Sequence, residues 1–156
     1  MKSIYYYESP IGKIGIAENG EAITNVYFQD EEVKDAIVKE TPLILKAATE
    51  LNEYFKGLRK SFDVPLMPSG TDFRNQVWQS LCEIPYGETR SYKDVAININ
   101  NPKAFRAVGL ANHNNPIPIF IPCHRVIGKD HKLVGYAGGL EIKKYLLELE
   151  GYKDYK

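Results

Sequence analysis

The stretch SYKDVAININNPKAFRAVGLANH, Ser91 to His113, decides how the second half of this chain folds. Ser91, with Asp94 three residues on, resembles a capping box in which Asp stands in for Glu, and it opens a short helix to about Ile97. Asn101-Pro102 then caps a second helix, Lys103 to about His113, since proline suits a first helical turn where its missing N–H is not needed. Two short helices joined by a tight turn are the outline of a helix-turn-helix. On the second helix Ala104, Ala107, Gly109 and Ala111 are small, which lets another surface approach closely, whether a neighbouring helix or a nucleic-acid groove. Arg106 reaches into such a groove or is a plain surface arginine; both readings are open at this point.

Upstream, Asp72 to Cys82 is predicted helical, with Phe73, Val77 and Leu81 on one stripe and Cys82 packed in the core. Pro85-Tyr86-Gly87 breaks the chain before Ser91. Downstream, Asn114-Asn115-Pro116-Ile117-Pro118-Ile119 cannot be helical, and Leu140 to Glu150 forms a closing helix ended by Gly151.

The first part of the chain reads as antiparallel strands. Ile4 to Tyr7, Lys13 to Glu18 and Ile23 to Phe28 are strand-like, separated by the turn Ser9-Pro10-Ile11-Gly12 and by Asn19-Gly20. Asn19-Gly20 predicts a two-residue hairpin turn with φ > 0 at both positions. Asp30 to Glu32 begins a polar stretch with room for a short helix. Pro42 to Lys56 is a helix with Thr41 as N-cap, Gly57 at C′, and Leu43, Ala47, Leu51 and Tyr54 on its apolar face. Val64 to Gly70 reads as a linker. The expected fold class is α/β (α+β): a small N-terminal antiparallel sheet with a helix over residues 1–66, then a helical domain with a helix-turn-helix over residues 70–156.

Net charge is zero, which argues against a tight non-specific polyanion binder. The charge is unevenly spread. Residues 1–63 carry 8 basic and 11 acidic side chains, and residues 64–156 carry 12 and 9. Between Arg90 and Lys132, 7 basic residues stand against Asp94 and Asp130, so a basic face for a phosphate backbone and an ordinary solvated surface are both open. No apolar run approaches the ~20 residues that span a bilayer, and the N-terminus lacks the apolar segment of a secretory signal. A cytoplasmic location is expected, nuclear in a eukaryote, with no membrane partner. The 2 cysteines, Cys82 and Cys123, form no Cys-x-x-Cys, and with 3 histidines neither a disulfide framework nor a metal site is expected.

Pro122-Cys123-His124-Arg125 holds the chemistry-bearing triplet. Thiolate is the nucleophilic form of cysteine, and an adjacent base or positive charge promotes it. The expectation is a thiolate held ready beside an imidazole. Neighbours on a regular strand point to opposite faces, so contact between Cys123 and His124 requires a turn or a bridging water. From Cys-His alone, a buried cysteine acting as a small hydrophobe is the favoured reading, and the flanking segments are what shift it. In Tyr136-Ala137-Gly138-Gly139 the glycines allow a backbone to approach a flat ligand, and the tyrosine offers a stacking face or a hydroxyl; a plain loop before the closing helix is the alternative.

Together these segments resemble a known family. Gly70 through Gly151 is similar to the C-terminal domain of the O6-alkylguanine-DNA alkyltransferases. Ile119-Phe120-Ile121-Pro122-Cys123-His124-Arg125-Val126 matches the family's active-site motif, and Asn101 to Gly109 matches its recognition helix. Asn115 to Ile119 and Tyr136 to Leu140 match too, in the right order around one cysteine. The N-terminal part is compatible with the family's first domain, a ribonuclease-H-like lobe, without identifying it.

The resemblance implies DNA repair by direct reversal. A monomer without cofactor would move the alkyl group of O6-alkylguanine in double-stranded DNA onto Cys123, once and irreversibly, with O4-alkylthymine as a further substrate. His124 would act as base through a water, and Glu150 would orient it. Asn115 would brace the turn that bears the site. Tyr92 would crowd the target phosphate and donate to guanine N3. Arg106 would fill the gap left by a flipped nucleotide, with Ala104, Ala107 and Gly109 lining the minor-groove contact. Val126, Tyr136, Ala137 and Gly138 would form the guanine pocket. Ala137 stands where some relatives carry Ser, and Gly138 leaves room for bulky alkyl groups. Two other classes stay open: a DNA-binding sensor without chemistry, which retention of Cys123 disfavours, and a cysteine hydrolase using Cys123, His124 and Glu150, which would need an oxyanion hole and would turn over.

Overall fold

Three strands begin the molecule: β1 (Lys2–Ser9), β2 (Gly12–Glu18), buried without a break from Ile14 to Glu18, and β3 (Ile23–Phe28). The computed structural model describes residues 2–29, 31, 33–136 and 138–155. It is a mixed α/β protein of two units, one up to Ser69 and one from Gly70 on.

In the first unit β1 to β3 form an antiparallel meander, with Tyr5 opposite Ile16 and Ile16 opposite Val26. Ile14, Ile16 and Val26 share one face of this sheet and are buried, as is the stripe Ile44, Ala47, Leu51 and Tyr54 of α1 (Pro42–Phe55). Thr41 caps this helix, its Oγ1 accepting from the Ile44 N–H at 3.2 Å. Leu43, expected on the buried face, is only half-buried; Ile44 takes the core position.

Three expectations for this unit are corrected. Asn19-Gly20 does not make a two-residue turn, because only Gly20 has positive φ (97°). The Asn19 side chain instead accepts from the Glu21 and Ala22 amides at 2.9 and 3.0 Å, a local bond that competes with the tighter turn, and a register shift at Ala17/Glu18 absorbs the extra length. The sheet is not purely antiparallel. β4 (Ala36–Val38) pairs parallel with β1 to give the order β3-β2-β1-β4, where a short helix was the reading; Asp30 and Glu32 themselves lie outside the described residues. A strand of three residues is too short to show a period, so only its partner defines it. Nor is Val64 to Met67 a free linker: Val64 is buried, the Ile23 N–H donates to Pro65 O, and the Met67 N–H donates to Ile23 O, each at 2.9 Å. Pro65 needs only its carbonyl there, as proline at a sheet edge does.

The second unit begins with α2 (Asp72–Cys82), which buries Val77, Trp78 and Leu81. Trp78 Nε1 donates to Ala111 O at 2.8 Å, tying α2 to the last turns of α4 (Phe105–His113). Cys82 is exposed rather than packed, because it lies about 100° round the helix from Leu81. α3 (Tyr92–Asn98) opens with a complete capping box: Ser91 N–H donates to Asp94 Oδ2 at 2.9 Å, and Asp94 N–H donates to Ser91 Oγ at 3.0 Å. α4 starts two residues later than the sequence suggests. The Ala104 N–H closes onto Asn101 O at 3.0 Å, so Asn101-Pro102-Lys103 is the turn between the two helices and not the first turn of the second.

One short ladder ties the helix-turn-helix to the loop downstream of it. β5 (Arg90–Ser91) pairs parallel with β6 (Val126–Ile127), so the residue before α3 lies beside the strand that leaves Arg125. α5 (Leu140–Leu149) closes the unit, with Lys143, Leu146 and Leu147 on its buried face.

Candidate active site

Cys123, His124 and Arg125 form a single 3-10 turn, and all three are buried. The loop that delivers them is held by Asn115, whose Nδ2 donates to Ile121 O at 2.8 Å while its Oδ1 accepts from the Ile117 N–H at 3.0 Å. Within that bracket Ile119 has φ 73°, a left-handed conformation costing a β-branched residue about 1–3 kcal/mol that the surrounding bonds must offset. Asn112, in the last turn of α4, donates to Cys123 O at 3.3 Å.

Glu150 caps the C-terminal end of α5 and meets the turn from the other side. His124 Nε2 lies 2.7 Å from Glu150 Oε2. Arg125 grips both carboxylate oxygens, Nε to Oε1 at 2.8 Å and Nη2 to Oε2 at 3.1 Å, and its Nη1 donates to Ile84 O at 2.7 Å. Gly87 N–H adds a bond to Oε1 at 3.4 Å. A side chain at Gly87 would be strained (φ +82°) and its Cβ would stand 3.1 Å from Glu150 O. Lys143, about two turns earlier on α5, is fully buried, donating to Val126 O and Val134 O at 2.6 Å each and to Gly135 O at 3.3 Å.

Tyr92, the first residue of α3, is half-buried between α4 at Gly109 and the loop at Gly135. On α4, Arg106 and Ala107 are exposed and Ala104 and Gly109 half-buried, with Phe105 and Leu110 also exposed. The Arg106 guanidinium stands 5.9 Å from the Phe105 ring centroid. Val126 and Tyr136 are buried and Gly138 half-buried, while Ala137 lies outside the described residues. The structure thus gathers Cys123, His124, Glu150, Asn115 and Tyr136 into one buried set, with Tyr92 at its margin, and leaves Arg106 and Ala107 on the outer face of α4.

Burial drives the electrostatics. It pushes the Cys123 thiol up to about 11, against hydrogen bonding by Asn115 and the charge of Lys143. The resting sulfur is therefore a thiol and not the thiolate expected from the motif, since desolvating the anion outweighs the nearby cation. Burial also depresses His124 below the usual histidine range; Glu150 pulls it upward, and Arg125 and Lys143 add to the depression. Lys143 falls to about 8, again through burial. Burial works to raise Glu150, but bonds and charges from His124 and Arg125 bring it down to about 2. With the imidazole neutral, Arg125 is the cation that keeps the carboxylate ionised. Burial, and then the nearby Cys123, raise the Tyr92 phenol, which stays protonated.

Lys143, Asn112 and the grip of Arg125 were missed from the sequence. Lys143 left one readable signal: Lys143, Leu146, Leu147 and Glu150 follow the i, i+3, i+4, i+7 spacing of a buried helix face, where a lysine is out of place. Among the described residues no helix is long and apolar enough to cross a membrane, and no group of three His, Cys, Asp or Glu could hold a metal ion. A surface cavity of about 470 Å³ lies on the same unit, lined by Glu83, Arg90, Asp94 and Asn98 among others, but none of the gathered set lines it.

Fold and site define a cysteine-nucleophile protein built on a helix-turn-helix. The chain belongs to the 6-O-methylguanine DNA methyltransferase family. Its residues 72–152 match that family's DNA binding domain, and residues 4–68 match its ribonuclease-like domain. It is 51% identical over 153 residues to the methylated-DNA–protein-cysteine methyltransferase of Methanosarcina barkeri, covering 94% of this chain and 97% of that one. To the constitutive enzyme of that name from Bacillus subtilis it is 48% identical over 157 residues, covering 94% and 95%. The crystal structure of Mycobacterium tuberculosis OGT in complex with DNA superposes with a TM-score of 0.89 at 46% identity, covering 95% of this chain and 92% of that one.

Proposed function

We propose that this protein repairs DNA by taking the alkyl group from O6-alkylguanine onto Cys123, in one irreversible turnover. The observation that carries the reading is the buried Cys123–His124–Arg125 turn, locked to Glu150 and laddered to the start of the helix-turn-helix, in a chain of this family. The unit from Gly70 on binds DNA and does the chemistry.

A guanine O6 inside a duplex is out of reach, so the nucleotide leaves the stack. Arg106, exposed on α4, fills the gap from the minor groove, while Ala104, Ala107 and Gly109 let the helix approach the backbone. Val126, Tyr136, Gly138 and Ala137 receive the base. The Cys123 thiol gives its proton to His124, directly or through a water, and Glu150 steadies the imidazole. Sulfur then attacks the alkyl carbon, the carbon–O6 bond breaks toward the guanine, and the guanine takes up one proton, helped by the Tyr92 hydroxyl at N3. Asn115 keeps the turn in place. The thioether product has no second nucleophile to release it. A resting thiol makes deprotonation part of the reaction, which spares the nucleophile from electrophiles met outside the site. O4-alkylthymine is a further substrate of the same attack. Working on chromosomal DNA as a monomer, the protein acts in the cytoplasm, or the nucleus of a eukaryote.

Intact-mass spectrometry after mixing with O6-methylguanine duplex tests this: one stable methyl on Cys123, and none on Cys123→Ala, which still binds DNA. Methyl transfer by Cys123→Ala would overturn the acceptor, and repeated release of product without an adduct would make the protein a hydrolase.

A further inference from the structure

We propose that Arg125 is a positioning residue for alkyl transfer. By holding both oxygens of Glu150 and balancing its charge, it keeps the His124 imidazole neutral, with the hydrogen on Nε2 and the lone pair on Nδ1. The inference rests on the proposed function and deepens it, because it assigns the state in which His124 can accept a proton from Cys123.

The geometry leaves little choice. Glu150 is buried and points Oε2 at His124 Nε2, 2.7 Å away. An ionised carboxylate accepts only, so Nε2 carries the hydrogen. Nδ1 is then the only ring atom with a free lone pair, and among the described residues it has no hydrogen-bond partner. A buried carboxylate facing an imidazole would ordinarily draw a second proton onto the ring and form an ion pair, which would leave no base. Here the negative charge is already matched. Arg125 makes two bonds to Glu150, spends its third on Ile84 O, and stands 5.8 Å from the centroid of the Tyr86 ring. A guanidinium keeps its charge throughout the working pH range.

The remaining charged neighbour of the imidazole points the same way. Lys143 approaches from α5, so Arg125 and Lys143 both oppose a charged ring, Glu150 alone favours it, and Cys123 is the proton's source. The proton lost by Cys123 passes to His124 Nδ1. The sulfur–carbon bond forms as the carbon–O6 bond breaks; the guanine takes a proton from the Tyr92 hydroxyl, and the proton held on His124 replaces it through solvent, so charge and atoms balance with no further reactant.

The test compares Arg125→Met, which removes the charge at similar length, with Arg125→Lys, which keeps it. Single-turnover methyl transfer from O6-methylguanine duplex is followed against pH. In Arg125→Met the acid limb should move upward by about one pH unit or more, because the Glu150 carboxylate then faces the imidazole with its charge unmatched, while in Arg125→Lys it should stay near the wild-type position. A merely structural role predicts slower transfer with the limb unmoved, and that result would overturn the proposal. Should Arg125→Met fail to fold, 15N NMR of the wild-type imidazole decides. A neutral ring with Nε2–H at pH 7 supports the proposal, and an imidazolium there refutes it. The NMR reading does not depend on methyl transfer, so failure of the proposed function and failure of this inference are told apart.

Discussion

Both units bury acidic side chains, and they use them in opposite ways. In the first unit Glu50 accepts from the Asp63 and Val64 amides at 2.8 and 3.3 Å, and Glu18 accepts from the Gly20 amide and the Thr41 hydroxyl. These carboxylates cap backbone that would otherwise lack partners, and no basic side chain faces them in those bonds. In the second unit Glu150 faces His124 and Arg125, with Lys143 and Cys123 close by, so five ionisable groups share one buried volume. Their protonation equilibria are driven apart: thiol up, imidazole down, carboxylate down, ammonium down. Burial alone therefore does not mark a site. Burial of groups that can exchange protons with each other does.

Removing one acid from each unit sharpens the contrast. Glu150→Gln should cost about 3–5 kcal/mol in chemical denaturation, because it strands the Arg125 charge, and should also cut methyl transfer sharply. The pH dependence comes from the same group. Its folded value, about 2, lies below its unfolded value near 4.5, so its stabilisation is complete above pH 4.5 and is lost as pH falls toward 2. The wild type should lose stability through that window, and Glu150→Gln should lose less. Equal acid sensitivity in the two would break the assignment of Glu150 as the ionised partner.

Glu50→Gln should cost less, about 1–3 kcal/mol, the range for weakening a buried acceptor, and should leave transfer per folded molecule at the wild-type rate. A transfer defect in folded Glu50→Gln would erase the distinction between the units. The smallest effect belongs to Thr41→Ala, about 1–2 kcal/mol for the lost N-cap together with its bond to Glu18, read by thermal unfolding with transfer unaffected.

Much of this was legible because it is local. Strand β3, helix α2 and the capping box of α3 depend on residues within a few positions of one another, and each lies where the sequence puts it. The errors share a cause. β4 exists only through its pairing with β1, Val64 to Met67 is ordered only by the edge of β3, and Cys82 is exposed only because α2 turns that face outward. At the site, Cys123 and His124 were visible as a dipeptide. Arg125, next in line, showed no role until Ile84 and Glu150, 41 and 25 residues away, were placed against it.

The order of residues by itself determined the elements of the helix-turn-helix, the family, and which sulfur is the candidate acceptor, since each is written in short-range spacing. Whether that sulfur rests as thiol or thiolate, and whether its neighbouring imidazole is charged, were decided by tertiary structure alone. Proton affinity depends on how much water is excluded and which charges stand within a few ångströms, and folding sets both by joining segments far apart in the chain.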